Sequence, residues 1–120
     1  MIGIDLIVVN RIKEAIERSE SMKYRIWTKA EMSYCESKKN KYESYAARFA
    51  AKEAFVKALC IGRTNGIAWT DIEISNHESG QPYITLKEKA LEIFESQGYQ
   101  TISVSLSHTN DNAIAVVMLG

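Results

Sequence analysis

Short β-branched stretches and longer amphipathic ones share this chain between them. Residues 2–9 (IGIDLIVV) are almost wholly apolar and β-branched, which predicts a buried strand. Asn10 stands where a helix N-cap is expected, and residues 10–19 predict the start of a helix. Thr28-Lys-Ala-Glu31 has capping-box spacing and opens a second helix over 28–38. A basic loop, Lys38-Lys-Asn-Lys41, leads to the strongest helix, residues 43–60, rich in alanine and free of glycine and proline. Arg63-Thr-Asn-Gly66 predicts a turn, residues 67–75 a strand, Ser79–Pro82 a turn and Tyr83–Leu86 another short strand. Residues 87–97 predict an amphipathic helix with Ala90, Leu91 and Phe94 as its apolar side, stopped by Gly98. Ser103–Ser107 alternates with a period of two, His108–Asn112 is a polar turn, and Ala113–Leu119 closes a hairpin. The sum is an α+β fold, a mainly antiparallel sheet with helices packed on one face. No repeat, low-complexity run or linker interrupts it, so residues 1–120 are expected to form a single domain.

Composition narrows the class. Hydrophobic residues make up 46% and charged residues 25%, which excludes a disordered tail, a collagen-like chain and a disulfide scaffold. The longest apolar run, Ala113–Leu119, is too short to cross a bilayer, and Asp5 breaks an N-terminus that has no basic leader, so no membrane association is expected. Cys35 and Cys60 stand apart, outside any CxxC pattern, and are expected to be reduced, buried thiols of a cytoplasmic protein. The net charge is zero but divided: residues 1–63 hold thirteen Lys/Arg and eight Asp/Glu, and residues 64–120 hold two and seven. The basic half favours a phosphate or an acidic protein as partner over nucleic acid.

Few residues carry chemistry. Asp5 places a carboxylate inside an apolar strand, where it needs a counter-ion, a metal or a strand-end turn. Within Arg48-Phe-Ala-Ala-Lys-Glu-Ala-Phe-Val-Lys57, Glu53 and Lys57 lie one helical turn apart, and on spacing alone a surface ion pair is the better reading. Two carboxylates suit a hard cation such as Mg²⁺, which often takes one or two carboxylates together with substrate phosphates, and Lys57 would neutralise a phosphate oxygen. His108, at a strand end after Ser105-Leu-Ser, would bind phosphate, carry a proton or simply cap the hairpin. Arg11, Ala15, Arg18, Met22 and Arg25 fall at i, i+4, i+7, i+11 and i+14; if the helix continues that far, they form a basic, methionine-bearing face suited to an acidic partner helix.

Three ordered blocks then carry a resemblance over essentially the whole chain. Gly3-Ile-Asp5 with Arg11-Ile12, the Arg48–Lys57 segment, and Ser105-Leu-Ser-His108 followed by Ala113–Leu119 resemble the holo-[acyl-carrier-protein] synthases, the short type of 4′-phosphopantetheinyl transferase. The resemblance implies transfer of the 4′-phosphopantetheine group of coenzyme A to a serine of an acyl carrier protein, with release of adenosine 3′,5′-bisphosphate. It implies Asp5 and Glu53 as ligands of Mg²⁺, and Asp5, Glu53 and Lys57 as the catalytic set, with Lys57 on the pyrophosphate. Lys39, Lys41, Arg48, Gly62, Gly80 and His108 are implied as further coenzyme A contacts. Arg11, Arg18, Met22 and Arg25 would receive the carrier protein, and the assembly would be a homotrimer with sites at subunit interfaces. The chain departs from the family in having Val8 for an acidic residue, Cys60-Ile-Gly62 for Gly-Thr-Gly and Gly80-Gln-Pro82 for Gly-Lys-Pro. Two other functions use the same residues differently: a carrier-docking module would survive loss of Asp5 and Glu53, and a Mg²⁺-dependent pyrophosphate hydrolase would cleave coenzyme A without a carrier.

Overall fold

The computed structural model describes residues 1–62 and 64–120, so Arg63 of the expected turn lies outside the described residues. The elements run β1 (Ile2–Val8), α1 (Val9–Arg18), α2 (Glu20–Ile26), α3 (Lys29–Glu36), α4 (Lys41–Leu59), β2 (Ile72–Asn76), β3 (Pro82–Leu86), α5 (Glu88–Ser96), β4 (Ile102–His108) and β5 (Asn112–Leu119). All strand pairing is antiparallel, in a three-stranded sheet β1-β5-β4 and a two-stranded sheet β2-β3.

The central helix α4 lies on one face of the larger sheet. Its alanines 46, 47, 50, 51, 54 and 58 are buried, as are Ala113, Ala115 and Val117 of β5. Small side chains on both surfaces bring helix and strands unusually close. Gly3 marks the tightest point: a Cβ there would lie 2.0 Å from Ala54 O and 2.7 Å from Ala58 N. Glycine is required at this crossing because the neighbours are backbone and cannot swing aside.

A second stabilising feature is wholly buried. Lys52 Nζ donates to Glu31 Oε1 at 2.8 Å, to Ile26 O at 2.8 Å and to Trp69 O at 2.9 Å. Glu31 also accepts from Thr28 N at 2.9 Å, completing the expected capping box, and from Ile74 N at 2.9 Å. One ion pair thus ties α2, α3, α4 and β2 together. Burial pulls the Lys52 ammonium below its ordinary pKa, against the opposing pull of Glu31.

Several local expectations need correction. Strand β1 is buried on one face only: Ile2, Ile4 and Leu6 are 62, 55 and 61% exposed, because no element among the described residues covers their side of the sheet. Asn10 is not an N-cap; it sits inside α1 and donates to Glu14. The expected strand 67–75 begins only at Ile72, since Trp69–Asp71 forms a 3-10 turn in which Asp71 Oδ2 accepts from Ala68 N. In α5 the buried residues are Ala90, Ile93 and Phe94, while Leu91 faces outward. Cys35 is buried, but Cys60 is exposed.

Candidate functional site

The chemistry-bearing residues fall into two groups on different sides of α4. The first is built by the Gly3 crossing. Two residues on, Asp5 shares the inner face of β1 and meets the C-terminal half of α4. Lys57 Nζ donates to Asp5 Oδ1 at 2.7 Å and to Ile4 O at 3.2 Å. The expected surface pairing of Lys57 with Glu53 therefore gives way to a longer-range one with Asp5. Asp5 Oδ2 is buried and has no hydrogen-bond partner. Glu53 stands one turn before Lys57, and burial, followed by the Asp5 charge, holds its carboxyl above the usual range, with Lys57 opposing. The hydrogen bond to Asp5 raises Lys57. Beside them opens a cavity of about 530 Å³ lined by Glu53, Val56, Lys57, Cys60, Gly62 and Trp69 among others.

This group fits a hard divalent cation of a particular kind. An orphaned buried carboxylate oxygen is costly unless something binds it. Among the described residues no three His, Cys, Asp or Glu converge, so the protein offers no complete cage. Two carboxylates with room beside them suit a metal whose remaining ligands are water and substrate phosphate.

The second group is cationic. Arg48 is only 3% exposed, and its guanidinium carbon lies 3.9 Å from the centroid of the Tyr34 ring. No carboxylate among the described residues forms an ion pair with it. His108 Nδ1 lies 2.8 Å from Glu43 Oε1. Arg48, His108, Gly80 and Pro82 line one cavity, and His108 also lines its neighbour, with Lys38 and Lys39. Gly80, at φ +91°, makes the tight β2–β3 turn. Lys41 does not join this group. It pairs with Glu36 at 3.3 Å and lines a separate cavity with Lys13 and Lys39.

Helical phase explains the division. Arg48 and Lys57 are nine residues apart on α4, about half a revolution out of phase at 100° per residue. Asp5 and His108 sit on the opposite edge strands of the sheet, which lie about 10 Å apart across β5, and are offset by two residues along them. One chain therefore cannot close both groups around one small ligand.

The arginine face is also interrupted. Ser19 ends α1, and its Oγ accepts from Met22 N to start α2, so Arg11 and Arg18 lie on one helix and Met22 and Arg25 on another. The three arginines remain exposed, while Met22 is half-buried and packs against the core. Sequence reasoning passed over Tyr34, Glu43 and Asn76, which orient Arg48 and His108. The only signal for Glu43 was a carboxylate one turn before Ala47 on an otherwise alanine-rich face.

A family model for the 4′-phosphopantetheinyl transferase superfamily matches residues 1–117. The holo-[acyl-carrier-protein] synthase of Ruminiclostridium cellulolyticum is 47% identical over 124 residues, covering 100% of this chain and 92% of the relative. That of Trichlorobacter lovleyi is 41% identical over 119 residues, covering 98% and 94%. Among solved structures, the Helicobacter pylori holo-[acyl-carrier-protein] synthase in complex with coenzyme A has a TM-score of 0.84 at 36% identity, covering 100% of both chains.

Proposed function

Because this chain belongs to the 4′-phosphopantetheinyl transferase superfamily, we propose that it moves the 4′-phosphopantetheine group of coenzyme A onto a serine of an apo-acyl carrier protein and releases adenosine 3′,5′-bisphosphate. The observation that carries the site assignment is the contact of Asp5, with its unpartnered buried oxygen, with Lys57, which lines one cavity together with Glu53. Asp5 and Glu53 would hold Mg²⁺, which supplies charge neutralisation at the pyrophosphate when bound.

The reaction is an in-line displacement: the serine oxygen forms a bond to phosphorus as the bond to the departing nucleotide phosphate breaks. Lys57, whose side chain is exposed, moves its charge from Asp5 to a pyrophosphate oxygen. Glu53, which lines the cavity beside Lys57, takes the serine proton. Trp69 and Val56 offer an apolar wall for the pantetheine arm. The cationic group around Arg48 and His108 suits the remaining phosphate of coenzyme A, a monoester that needs cations and no metal.

Self-association, which the resemblance makes a homotrimer, is supported by two features. The outer face of β1 and β5 is apolar and uncovered, with Ile2, Ile4, Leu6 and Met118 all more than half exposed. A second copy bringing its Arg48 group to this chain's Asp5 group also resolves their separation on α4. Arg11, Arg18 and Arg25 face solvent and suit an acidic carrier protein. No helix among the described residues is long and apolar enough to cross a membrane, which fits action in the cytoplasm.

Intact-mass spectrometry of an apo-acyl carrier protein, incubated with the enzyme, coenzyme A and Mg²⁺, tests the reading. The carrier should gain one phosphopantetheine, and EDTA or Glu53→Gln should abolish the gain. A gain that survives Glu53→Gln overturns the site assignment, and cleavage of coenzyme A without a carrier replaces the transferase with a hydrolase.

A further inference from the structure

Arg48 has little freedom, and residues outside the proposed contacts restrict it. Its Nη2 donates to Asn76 Oδ1 at 2.8 Å. Asn76 Nδ2 in turn donates to Gly80 O at 2.9 Å. A carbonyl accepts and never donates, so the amide has one possible orientation: its nitrogen toward Gly80, its oxygen toward Arg48. The turn carrying Gly80 is itself closed, because His77 N donates to Gln81 O at 2.9 Å and Gly80 N donates to His77 O at 2.8 Å. On the other side the Tyr34 ring lies against the guanidinium plane. Nε is buried without a partner, and Nη1 makes no hydrogen bond among the described residues.

A neutral amide is an unusual choice here. A carboxylate at position 76 would hold the guanidinium more strongly, but it would also cancel its charge and be repelled by Gly80 O. Asparagine fixes the direction of the group and leaves its positive charge unspent on the protein.

We propose that Asn76 is a positioning residue: with the Tyr34 ring, it anchors Arg48 to the β2–β3 turn, so that a full, uncompensated positive charge is held at a fixed angle for a phosphate monoester in the Arg48–His108 cavity. The inference deepens the transferase reading and rests on it for the identity of the monoester. Binding of the nucleotide itself gives an independent readout.

The test uses calorimetric titration of the full chain with adenosine 3′,5′-bisphosphate and with adenosine 5′-monophosphate, beside steady-state transfer from coenzyme A and from its 3′-dephospho form. Asn76→Ala should weaken adenosine 3′,5′-bisphosphate about tenfold, the scale of one hydrogen bond to a charged group, and leave adenosine 5′-monophosphate unchanged. It should raise KM for coenzyme A with kcat retained, and leave KM for the dephospho form alone. Asn76→Asp, nearly isosteric, should weaken the bisphosphate further, because it neutralises Arg48. In an Arg48→Lys background, Asn76→Ala should add nothing. Equal loss for both nucleotides, a fall in kcat alone, or tighter bisphosphate binding by Asn76→Asp overturns the positioning role. If the wild-type chain binds both nucleotides equally, the monoester assignment fails with it. If the wild type discriminates between them but transfers nothing to a carrier, the transferase reading fails while the role of Asn76 stands.

Discussion

Gly3→Ala is a sharp test of how this fold makes its site. The added Cβ would stand 2.0 Å from Ala54 O and 2.7 Å from Ala58 N. Ordinary non-bonded carbon contacts need about 3.5 Å, so β1 must retreat from α4 by about 1.5 Å. Overpacking of a tight core costs about 1–3 kcal/mol, and the upper end applies because both obstructing atoms are backbone. About 3 kcal/mol corresponds to a fall of about 10 °C in Tm for a domain of this size. The displacement also carries Asp5 away from Glu53 and Lys57, and a misplacement of about 1 Å in a reacting constellation costs about 100-fold in rate. Urea unfolding followed by tryptophan fluorescence, with transfer assayed at a temperature where the variant is folded, measures both effects. Gly98→Ala is the control: its φ of +83° strains alanine, but nothing lies within 4 Å of the new Cβ, so stability should fall by about 1 kcal/mol with kcat unchanged. A Gly3→Ala chain with a wild-type urea midpoint would refute the packing argument, and a destabilised one with full kcat would refute the link from crossing to site.

Other expectations follow from the same geometry. Glu53→Gln and Arg48→Ala, each inactive alone, should regain activity when unfolded and refolded together, to about a quarter of wild type if each site takes one group from each of two subunits; no recovery would mean that sites form within one chain. Coenzyme A should protect Cys60 from iodoacetamide, since this exposed thiol lines the same cavity as Glu53 and Lys57, while Cys35, whose thiol burial pushes up to about 12, should stay unreactive in the native chain; peptide mapping after labelling reads both. The Glu36 carboxyl is held down to about 2, chiefly by the Tyr45 hydroxyl that donates to it at 2.6 Å. Its folded value lies below the unfolded one, so its contribution is complete above about pH 4.5 and disappears as pH falls through 2. Glu36→Gln should therefore lower Tm at pH 6 and match wild type near pH 2, by a modest amount because the side chain is 42% exposed; a constant difference across that range would exclude the carboxylate as its source.

Local signals served this sequence well where the cause was local. The capping box at Thr28, the alanine-rich helix and the alternating hairpin strands all formed as their periodicities require. Trp69–Asp71 failed for an equally local reason: its apolar pattern is strand-like, but Asp71 turns back to cap Ala68. The break at Ser19 is legible in the same way, since Ser19-Glu-Ser21 is where the first helix is expected to end, and Ser19 caps the next one. What could not be seen were partners distant in sequence. Nothing near Gly3 indicates Ala54, and nothing near Lys52 says that this lysine, flanked by Ala51 and Glu53, is the one turned inward. The site divided the same way. Asp5, Glu53 and Lys57 are legible from residue type and resemblance, and the half-turn between Arg48 and Lys57 from their spacing, whereas the partners each one meets, Asp5 for Lys57 and Asn76 and Tyr34 for Arg48, emerge only from the packing of α4.

The buried pair of Lys52 and Glu31 also bears on how this sequence can drift. Losing either partner alone strands a charge in the interior at about 3–5 kcal/mol, a large part of the 5–15 kcal/mol that holds a typical domain together. Replacing both at once with apolar residues strands no charge, but it leaves Ile74 N, Ile26 O and Trp69 O without these partners. Positions 31 and 52 are therefore tied to each other and to the backbone they satisfy: a single substitution strands a charge, and a double one strands three backbone groups. Lys29, exposed on the same helix as Glu31, is under no such constraint.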